Sequence, residues 1–225
     1  MMPFVKICGI QTYEEACAAL DCGATALGML VGLTHRAEDR IDAATAAGIL
    51  RRLPTGTEAV LVTHLLDPDA VAGLAAGIGT RTIQIHDDMT LADLQRLRRL
   101  APGTRLLKAV HVTGEDALDR ARAYASDADA LVLDSRTADR LGGTGRTHDW
   151  SISRRIVAAV APLPVYLAGG LRPENVAQGI AEVRPAGVDV NSGVEDADGR
   201  KDRARMRDFV ARARAALADC QRPEA

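Results

Sequence analysis

The feature that most constrains the fold is a regular alternation along the chain. Short apolar runs, often β-branched, are each followed by an alanine-rich stretch with the spacing of an amphipathic helix. The pattern predicts eight strand–helix units, with no proline- or serine-rich linker between them. The predicted strands cover residues 4–8, 26–31, 59–63, 82–86, 106–112, 130–134, 164–168 and 187–191.

Helix start signals follow the predicted strands. Thr12 and Glu15 have the spacing of a capping box, and Asp67-Pro68 stands in N-cap and N1 order. A further helix is expected to start at Pro173. The other predicted helices cover residues 42–53, 90–100, 114–124, 149–160 and 203–217.

Eight evenly sized units in 225 residues are typical of a (β/α)8 TIM barrel. A doubly wound open α/β sheet is the alternative, but the units show no obvious topological switch point. We therefore expect a single barrel domain over residues 1–225.

Composition narrows the class of protein. Aromatic residues make up only 3% of the chain, so aliphatic side chains must fill the core, and a net charge of −2 argues against nucleic-acid binding. The N-terminal segment has neither a basic region before a long apolar run nor a membrane-spanning stretch. The four cysteines have no CxxC spacing, which favours reduced thiols over a zinc site. We expect a cytoplasmic protein with no membrane partner.

In a (β/α)8 barrel the active site lies at the C-terminal ends of the strands. Polar or reactive side chains follow most of the predicted strands. They are Cys8, Arg36, His64, Gln84, His86, His111, Asp134 and Asn191.

Two of these side chains suggest acid–base chemistry. Asp134 ends an apolar strand, where burial tends to raise the pKa of a carboxyl group. Cys8 can act as a base if a nearby cation lowers its pKa, and Lys6 is one source of such a charge. The alternatives are that Cys8 is a small core residue and that Asp134 caps a turn.

Three glycine-rich segments, at 141–147, 168–171 and 191–193, follow predicted strands six to eight. Backbone N–H groups in such loops can surround a phosphate, because glycine has no Cβ to hinder the approach. The alternative is that these glycines only form tight turns. The expected phosphate-binding residues are Gly143, Gly145, Gly169, Gly170, Ser192 and Gly193.

The histidines form no recognisable metal-binding set, so no metal is expected. His86 and His111 either point into the site or are structural. His35, His64 and His148 occupy predicted loop positions, where we expect exposure to solvent.

Seven stretches together carry a resemblance to a known family. They are VKICGI at 5–10, IQIH at 83–86, LKAV at 107–110, LD at 133–134, GGTGRTHDW at 142–150, AGGLRPENV at 168–176 and GVDVNSGVE at 187–195. In these stretches the chain resembles the phosphoribosylanthranilate isomerases of tryptophan biosynthesis, which are (β/α)8 barrels.

The resemblance implies an Amadori rearrangement of an N-(5-phosphoribosyl) amine, most simply N-(5'-phosphoribosyl)anthranilate. Asp134 would be the general acid that opens the ribose ring, and Cys8 the general base at the sugar C2. Arg36, Gln84, His86 and Asp189 would bind the substrate, with Arg36 on its carboxylate. No cofactor is implied, because the nitrogen of the substrate serves as the electron sink. A homodimer is left open.

The sequence departs from the family pattern after strands two to four. The stretch LVGLTHR at 30–36 lacks the usual aromatic residues, so Arg40 is an alternative carboxylate binder. After strand three the family tends to have Val-Asn where this chain has Val62-Thr63-His64, and after strand four Asp87 replaces a glycine. Two alternatives therefore stay open: the same rearrangement on a different aminoribosyl phosphate in a specialised pathway, or a non-catalytic phosphosugar-binding barrel.

Overall fold

The computed structural model describes residues 3–34, 39–137, 140–141 and 148–220, and only the backbone of residues 136–137 and 140–141. Three expected site residues, Arg36, Gly143 and Gly145, lie outside the described residues, as does His35.

Ten strands occur in the described part of the chain. They are β1 (Phe4–Ile7), β2 (Ala26–Leu30), β3 (Glu58–Thr63), β4 (Thr82–Ile85), β5 (Arg105–His111), β6 (Ala130–Asp134), β7 (Arg136–Thr137), β8 (Arg140–Leu141), β9 (Val165–Leu167) and β10 (Gly187–Val190). All except β7 and β8 form one closed parallel barrel. Strand β1 pairs with both β2 and β10, so the barrel prediction is confirmed and the open-sheet alternative is wrong.

The helices follow the barrel strands in the predicted order. They are α1 (Tyr13–Asp21), α2 (Ala43–Arg52), α3 (Pro68–Ile78), α4 (Leu91–Leu100), α5 (Ala117–Tyr124), α6 (Trp150–Val160), α7 (Val176–Val183) and α8 (Arg203–Cys220). In the described ranges, no helix is both long and apolar enough to span a membrane. All four cysteines are free thiols.

The ends of the elements differ from prediction in a few places. Helix α7 begins at Val176, because residues 173–175 form a turn in front of it. The Glu15 carboxylate accepts from the backbone N–H of Gln11, one residue before the expected N-cap partner Thr12. The short hairpin of β7 and β8 was not predicted, since two-residue strands carry no hydrophobic periodicity.

Successive residues of each barrel strand face opposite sides. Val5 and Ile7 belong to the apolar layer between the barrel and its helices, whereas Cys8 packs with the residues that fill the barrel interior. Lys6 also points inward, where its ammonium group contacts side chains of β4 and β10. The barrel interior is therefore polar near its centre.

The opposite end of the barrel is closed by side chains. The Phe4 and Tyr166 rings stack with their centroids 3.9 Å apart, and Arg105 binds Glu58 at 3.0 Å and also the Tyr166 hydroxyl. This packing leaves the end at the C-terminal edges of the strands, called the mouth below, as the location of the candidate site.

Candidate active site

Strand topology brings Cys8 and Asp134 to the mouth. Cys8 directly follows β1 and Asp134 is the last residue of β6, and the two are only 6% and 8% exposed. The charges of Lys6 and Asp189, which form a 2.6 Å ion pair inside the barrel, affect the pKa of both groups. The candidate acid and base are therefore both within electrostatic range of one buried ion pair.

The carboxyl group of Asp134 has the raised pKa that its strand predicted. Burial, and then the negative charge of Asp189, raise its pKa to about 7. Its Oδ1 accepts a 2.7 Å hydrogen bond from the Ser135 backbone N–H, and Oδ2 lies 3.5 Å from His86 Nε2. A carboxyl group with such a pKa is substantially protonated at neutral pH and can donate a proton.

The Cys8 thiol differs from expectation. Burial raises its pKa to about 12, and the opposing effect of Lys6 is too small to overcome the loss of hydration. Lys6 is already paired with Asp189, whose negative charge also raises the pKa of Cys8. Lys6 therefore does lower the pKa of this thiol, as expected, but by less than burial raises it, and the thiol of the ligand-free chain is protonated.

Asp189 has one carboxylate oxygen in use and one available. Oδ2 accepts from Lys6 Nζ, whereas Oδ1 is buried and, within the described residues, has no hydrogen-bond partner. An unpartnered buried acceptor is costly unless a ligand satisfies it. The position of Asp189 thus fits the expected role in substrate binding.

Gln84 and His86 lie in the same polar interior, 1% and 8% exposed. Gln84 Oε1 accepts from Lys6 Nζ at 3.0 Å, and Gln84 Nε2 lies 3.1 Å from His86 Nδ1. Both expected substrate-binding side chains thus also make contacts within the protein.

The other described histidines are all at least partly buried. His64 is 2% exposed and its ring lies 5.0 Å from that of His86, so the expectation of solvent exposure is wrong. His111 is structural, since its Nε2 contacts the carbonyl oxygen of His86 at 2.8 Å. His148 is half-buried against the Ser153 hydroxyl at 2.6 Å, again unlike the prediction. Burial lowers the pKa of His148 to about 4.

The glycine loops after β9 and β10 pack closely on each other and on Asp134. Gly169 and Gly170 have φ values of +77° and +67°, which glycine adopts at no steric cost. A Cβ at Gly169 would lie 2.8 Å from Asp134 Oδ1, and one at Gly193 would lie 2.9 Å from the Leu171 carbonyl carbon. These glycines have a structural reason to be present in addition to any phosphate contact. Ser192 is exposed at the start of a one-turn 3₁₀ helix, Ser192–Val194.

A polar cluster ties the loop after β2 to the end of β10. Asn191 donates to Asp39 Oδ2 at 2.6 Å and accepts from Lys201 Nζ at 2.6 Å, while Lys201 also pairs with Glu195 at 2.6 Å. Arg40, the alternative carboxylate binder, is exposed, and its backbone forms an isolated parallel β-bridge with Leu30 at the end of β2. These contacts hold the described end of the loop beside the mouth.

Two structural roles were missed from the sequence. The sequence indicates Lys6 only as a charge near Cys8, although a lysine in an otherwise apolar strand is itself a signal of a functional interior. Gly28 lies within β2, where a Cβ would be 2.7 Å from Cys8 Sγ and 2.8 Å from Lys6 Cε. Glycine in the middle of a strand often marks such a close approach. In the described ranges, no three potential ligands among His, Cys, Asp and Glu group to hold a metal ion.

Comparison with known sequences gives a consistent family. The family model described as N-(5'-phosphoribosyl)anthranilate (PRA) isomerase matches residues 5–212. N-(5'-phosphoribosyl)anthranilate isomerase 2 of Methanosarcina mazei is 42% identical over 212 residues, 93% of each chain. The isomerase of Methanocella arvoryzae is 40% identical over 214 residues, 95% of this chain and 99% of the relative.

Comparison with solved structures agrees. The crystal structure of the Thermotoga maritima phosphoribosyl anthranilate isomerase superposes with a TM-score of 0.84 at 31% identity, covering 95% of this chain and all of the other. A phosphoribosyl anthranilate isomerase in complex with reduced 1-(o-carboxyphenylamino)-1-deoxyribulose 5-phosphate gives a TM-score of 0.81 at 29% identity, with coverage of 95% and 100%. Sequence and fold together show that the chain belongs to the N-(5'-phosphoribosyl)anthranilate isomerase family.

Proposed function

We propose that this chain converts N-(5'-phosphoribosyl)anthranilate to the corresponding 1-deoxyribulose 5-phosphate aminoketone. Asp134 gives its proton to the ribose ring oxygen, the C1–O bond breaks, and the nitrogen lone pair forms a C1=N bond. Cys8, as thiolate, then removes the C2 proton. The C–H electrons form a C1=C2 bond, the C=N electrons return to nitrogen, and the enolamine tautomerises to the ketone.

The observation that carries this proposal is the buried Asp134 carboxyl group at the mouth of a barrel of this family. Its pKa of about 7 lets it hold a proton at neutral pH and release it to a substrate oxygen. A carboxyl group at its ordinary pKa would be ionised and unable to serve as the acid.

Cys8 needs the substrate in order to become a base. In the ligand-free chain the pKa of the thiol is about 12, which leaves almost no thiolate at neutral pH. The Schiff base formed by ring opening is a cation held next to the thiol, and an adjacent positive charge favours the thiolate, so the thiol proton leaves to solvent. The C2 proton then restores the thiol, and Asp134 regains a proton from solvent before the next turnover. The order of events is therefore acid first and base second.

Substrate contacts follow from the same geometry. The unpartnered Oδ1 of Asp189 is suited to accept a hydrogen bond from a hydroxyl group of the ribose. We propose that the phosphate binds to the backbone of Gly169, Gly170, Ser192 and Gly193. Gly143 and Gly145, also expected to bind it, lie outside the described residues, as does Arg36, which with Arg40 is a candidate for the substrate carboxylate. The related isomerase whose crystal structure holds a carboxyphenylamino deoxyribulose phosphate supports a ligand of this chemistry.

The test is loss of phosphoribosylanthranilate fluorescence on addition of the purified protein. Turnover should fall by several orders of magnitude in Cys8→Ser and Asp134→Asn, and remain in Cys17→Ser, which alters a thiol outside the mouth. Tight binding of a phosphorylated ribose analogue without turnover of phosphoribosylanthranilate would contradict the proposal. That result would favour another aminoribosyl phosphate as the substrate, a second candidate for which the observation is the buried His64 ring beside His86.

We also propose a homodimer. One related structure is described as monomers generated from the dimeric Thermotoga maritima isomerase, at a TM-score of 0.78 and 28% identity. Light scattering of the purified protein should give twice the 23.8 kDa mass of the chain, and a monomer mass would contradict this.

A further inference from the structure

Lys6 determines how the Gln84 amide is oriented. The ammonium group of Lys6 is wholly buried, pairs with Asp189 and donates to the Gln84 side chain at 3.0 Å. An ammonium group has three donors and no acceptor, so the Gln84 atom facing it must be the carbonyl oxygen. The opposite orientation would place two donors against each other in the barrel interior.

Gln84 in turn determines the tautomer of His86. With its oxygen on Lys6, the amide presents its NH₂ group to His86 Nδ1 at 3.1 Å. Nδ1 must therefore accept, which leaves the imidazole proton on Nε2. Burial lowers the pKa of His86 well below its usual value, in agreement with a neutral ring that carries one proton.

The single N–H group of His86 faces the candidate acid. His86 Nε2 lies 3.5 Å from Asp134 Oδ2, while Oδ1 already accepts from the Ser135 N–H. Catalytic hydrogen bonds are often long without substrate and shorten when it binds. An N–H group in this place stabilises the carboxylate that remains after the proton has left, and it cannot take that proton for itself.

We propose that the buried chain Lys6–Gln84–His86 holds His86 as the Nε2–H tautomer and so supports proton donation by Asp134. The proposal rests on the function proposed above, in which Asp134 is the general acid. It makes these three side chains positioning residues for the acid. Gln84 and His86 can still contact substrate, but their hydrogen-bond polarity is set from within the protein.

Other ionisable groups face this part of the mouth without being steps in the chain. His64 and His111 lie with their rings 5.0 and 5.1 Å from that of His86, and Lys108 acts on it from β5. Asp189 acts on Asp134 from β10. Each of these side chains is retained when Gln84 alone is substituted.

The decisive variant is Gln84→Glu, which has nearly the same shape. A carboxylate at this position still accepts from Lys6 but can only accept from His86, so it selects the Nδ1–H tautomer and turns the Nε2 lone pair towards Asp134. Nitrogen-15 NMR of labelled histidine in the free protein reports the tautomer directly, with His86 assigned by the loss of its signals in His86→Gln. Nε2 should be protonated in the wild type and Nδ1 in Gln84→Glu.

Kinetics then test the effect on the acid. In Gln84→Glu the Asp134 carboxylate loses its hydrogen bond from His86, which should lower kcat about tenfold. The same loss should raise the pKa of the alkaline limb of the kcat–pH profile by about one unit. KM should change by less than about threefold. Gln84→Met, which leaves the tautomer unselected, should give an intermediate kcat, and His64→Asn should leave the His86 tautomer unchanged.

Three outcomes would overturn the proposal. One is an Nδ1–H tautomer in the wild type, another is an unchanged tautomer in Gln84→Glu, and the third is a fall in kcat without movement of the alkaline limb. Failure of the wild type to turn over phosphoribosylanthranilate would instead refute the proposed function. NMR would still decide the tautomer in that case.

Discussion

Replacing Asp189 with Asn removes the counter-ion of a wholly buried ammonium group. Lys6 is 1% exposed and Asp189 is 7% exposed, and their charged atoms lie 2.6 Å apart. Removing one partner of a buried ion pair typically costs about 3–5 kcal/mol, because the remaining charge has lost both its partner and its hydration. The Asn amide can still accept a hydrogen bond, so we expect a loss of about 3 kcal/mol in the free energy of unfolding at pH 7.

The pH dependence gives this prediction a second signature. In the wild type the pKa of Lys6 is raised above 10.5, so its stabilising contribution is present below that pH and is lost only as pH rises through the higher folded-state value. Burial without the counter-ion should place the pKa of Lys6 below 10.5 in the variant. The unfolded variant then binds more protons than the folded one, and stability rises with pH up to about 10.5.

Urea unfolding of the wild type and of Asp189→Asn between pH 6 and pH 10 measures both effects. The matched control is Asp208→Asn, which removes a 2.7 Å pair with Arg212 that is about half exposed on α8. An exposed pair of this kind contributes little to stability, because water and salt screen the two charges. A cost for Asp189→Asn no larger than for this control, or a variant whose stability is flat with pH, would refute the reasoning.

Three further predictions concern the same interior and its surroundings. Alkylation of Cys8 in the free protein, followed by peptide mass spectrometry, should accelerate about tenfold per pH unit from pH 7 to 10, because its pKa is about 12, and a plateau below pH 9 would contradict this. Gly28→Ala should lose about 1–3 kcal/mol of stability in urea unfolding and most of its turnover, because the new methyl group meets Cys8 and Lys6. Gly48→Ala, whose nearest contact would be 4.0 Å away, should lose neither. Lys108→Met should raise the free energy of unfolding by about 2 kcal/mol at pH 7, because burial lowers the pKa of Lys108 to about 8. This gain should shrink as pH rises from 8 to 10.5, where the lysine is neutral in the folded chain. Urea unfolding that shows no gain at pH 7 would refute the prediction.

Much of the fold could be predicted because its signals are local. Thr12, Asp42, Asp67, Thr90 and Asp149 each accept from a backbone N–H in the first turn of the helix that follows, and these helices were expected there. Capping and hydrophobic period act over a few residues, so the chain displays them without any tertiary contact. Closure of the barrel followed from the number and even size of the units.

The location of the candidate site was also predictable, because parallel strands place all their C-terminal ends at one edge. That rule alone brings Cys8 and Asp134 to the mouth. The raised pKa of Asp134 followed from its apolar strand. The burial of His64 did not follow, since its position directly after a strand was interpreted as an exposed loop.

By itself, the sequence determined an eightfold barrel, the strand ends that meet at its mouth and the residue types available there for acid–base chemistry. Only the tertiary structure decided the charge state and direction of these groups. Lys6 forms hydrogen bonds with Gln84 and Asp189, from which it is separated in sequence by 78 and 183 positions. The pKa of a buried group depends on hydration lost and on charges within a few ångströms, and neither can be read from neighbours in sequence. For this reason a lysine two residues from Cys8 suggested a thiolate, whereas in the folded barrel that lysine pairs with Asp189 and burial keeps the thiol of the ligand-free chain protonated.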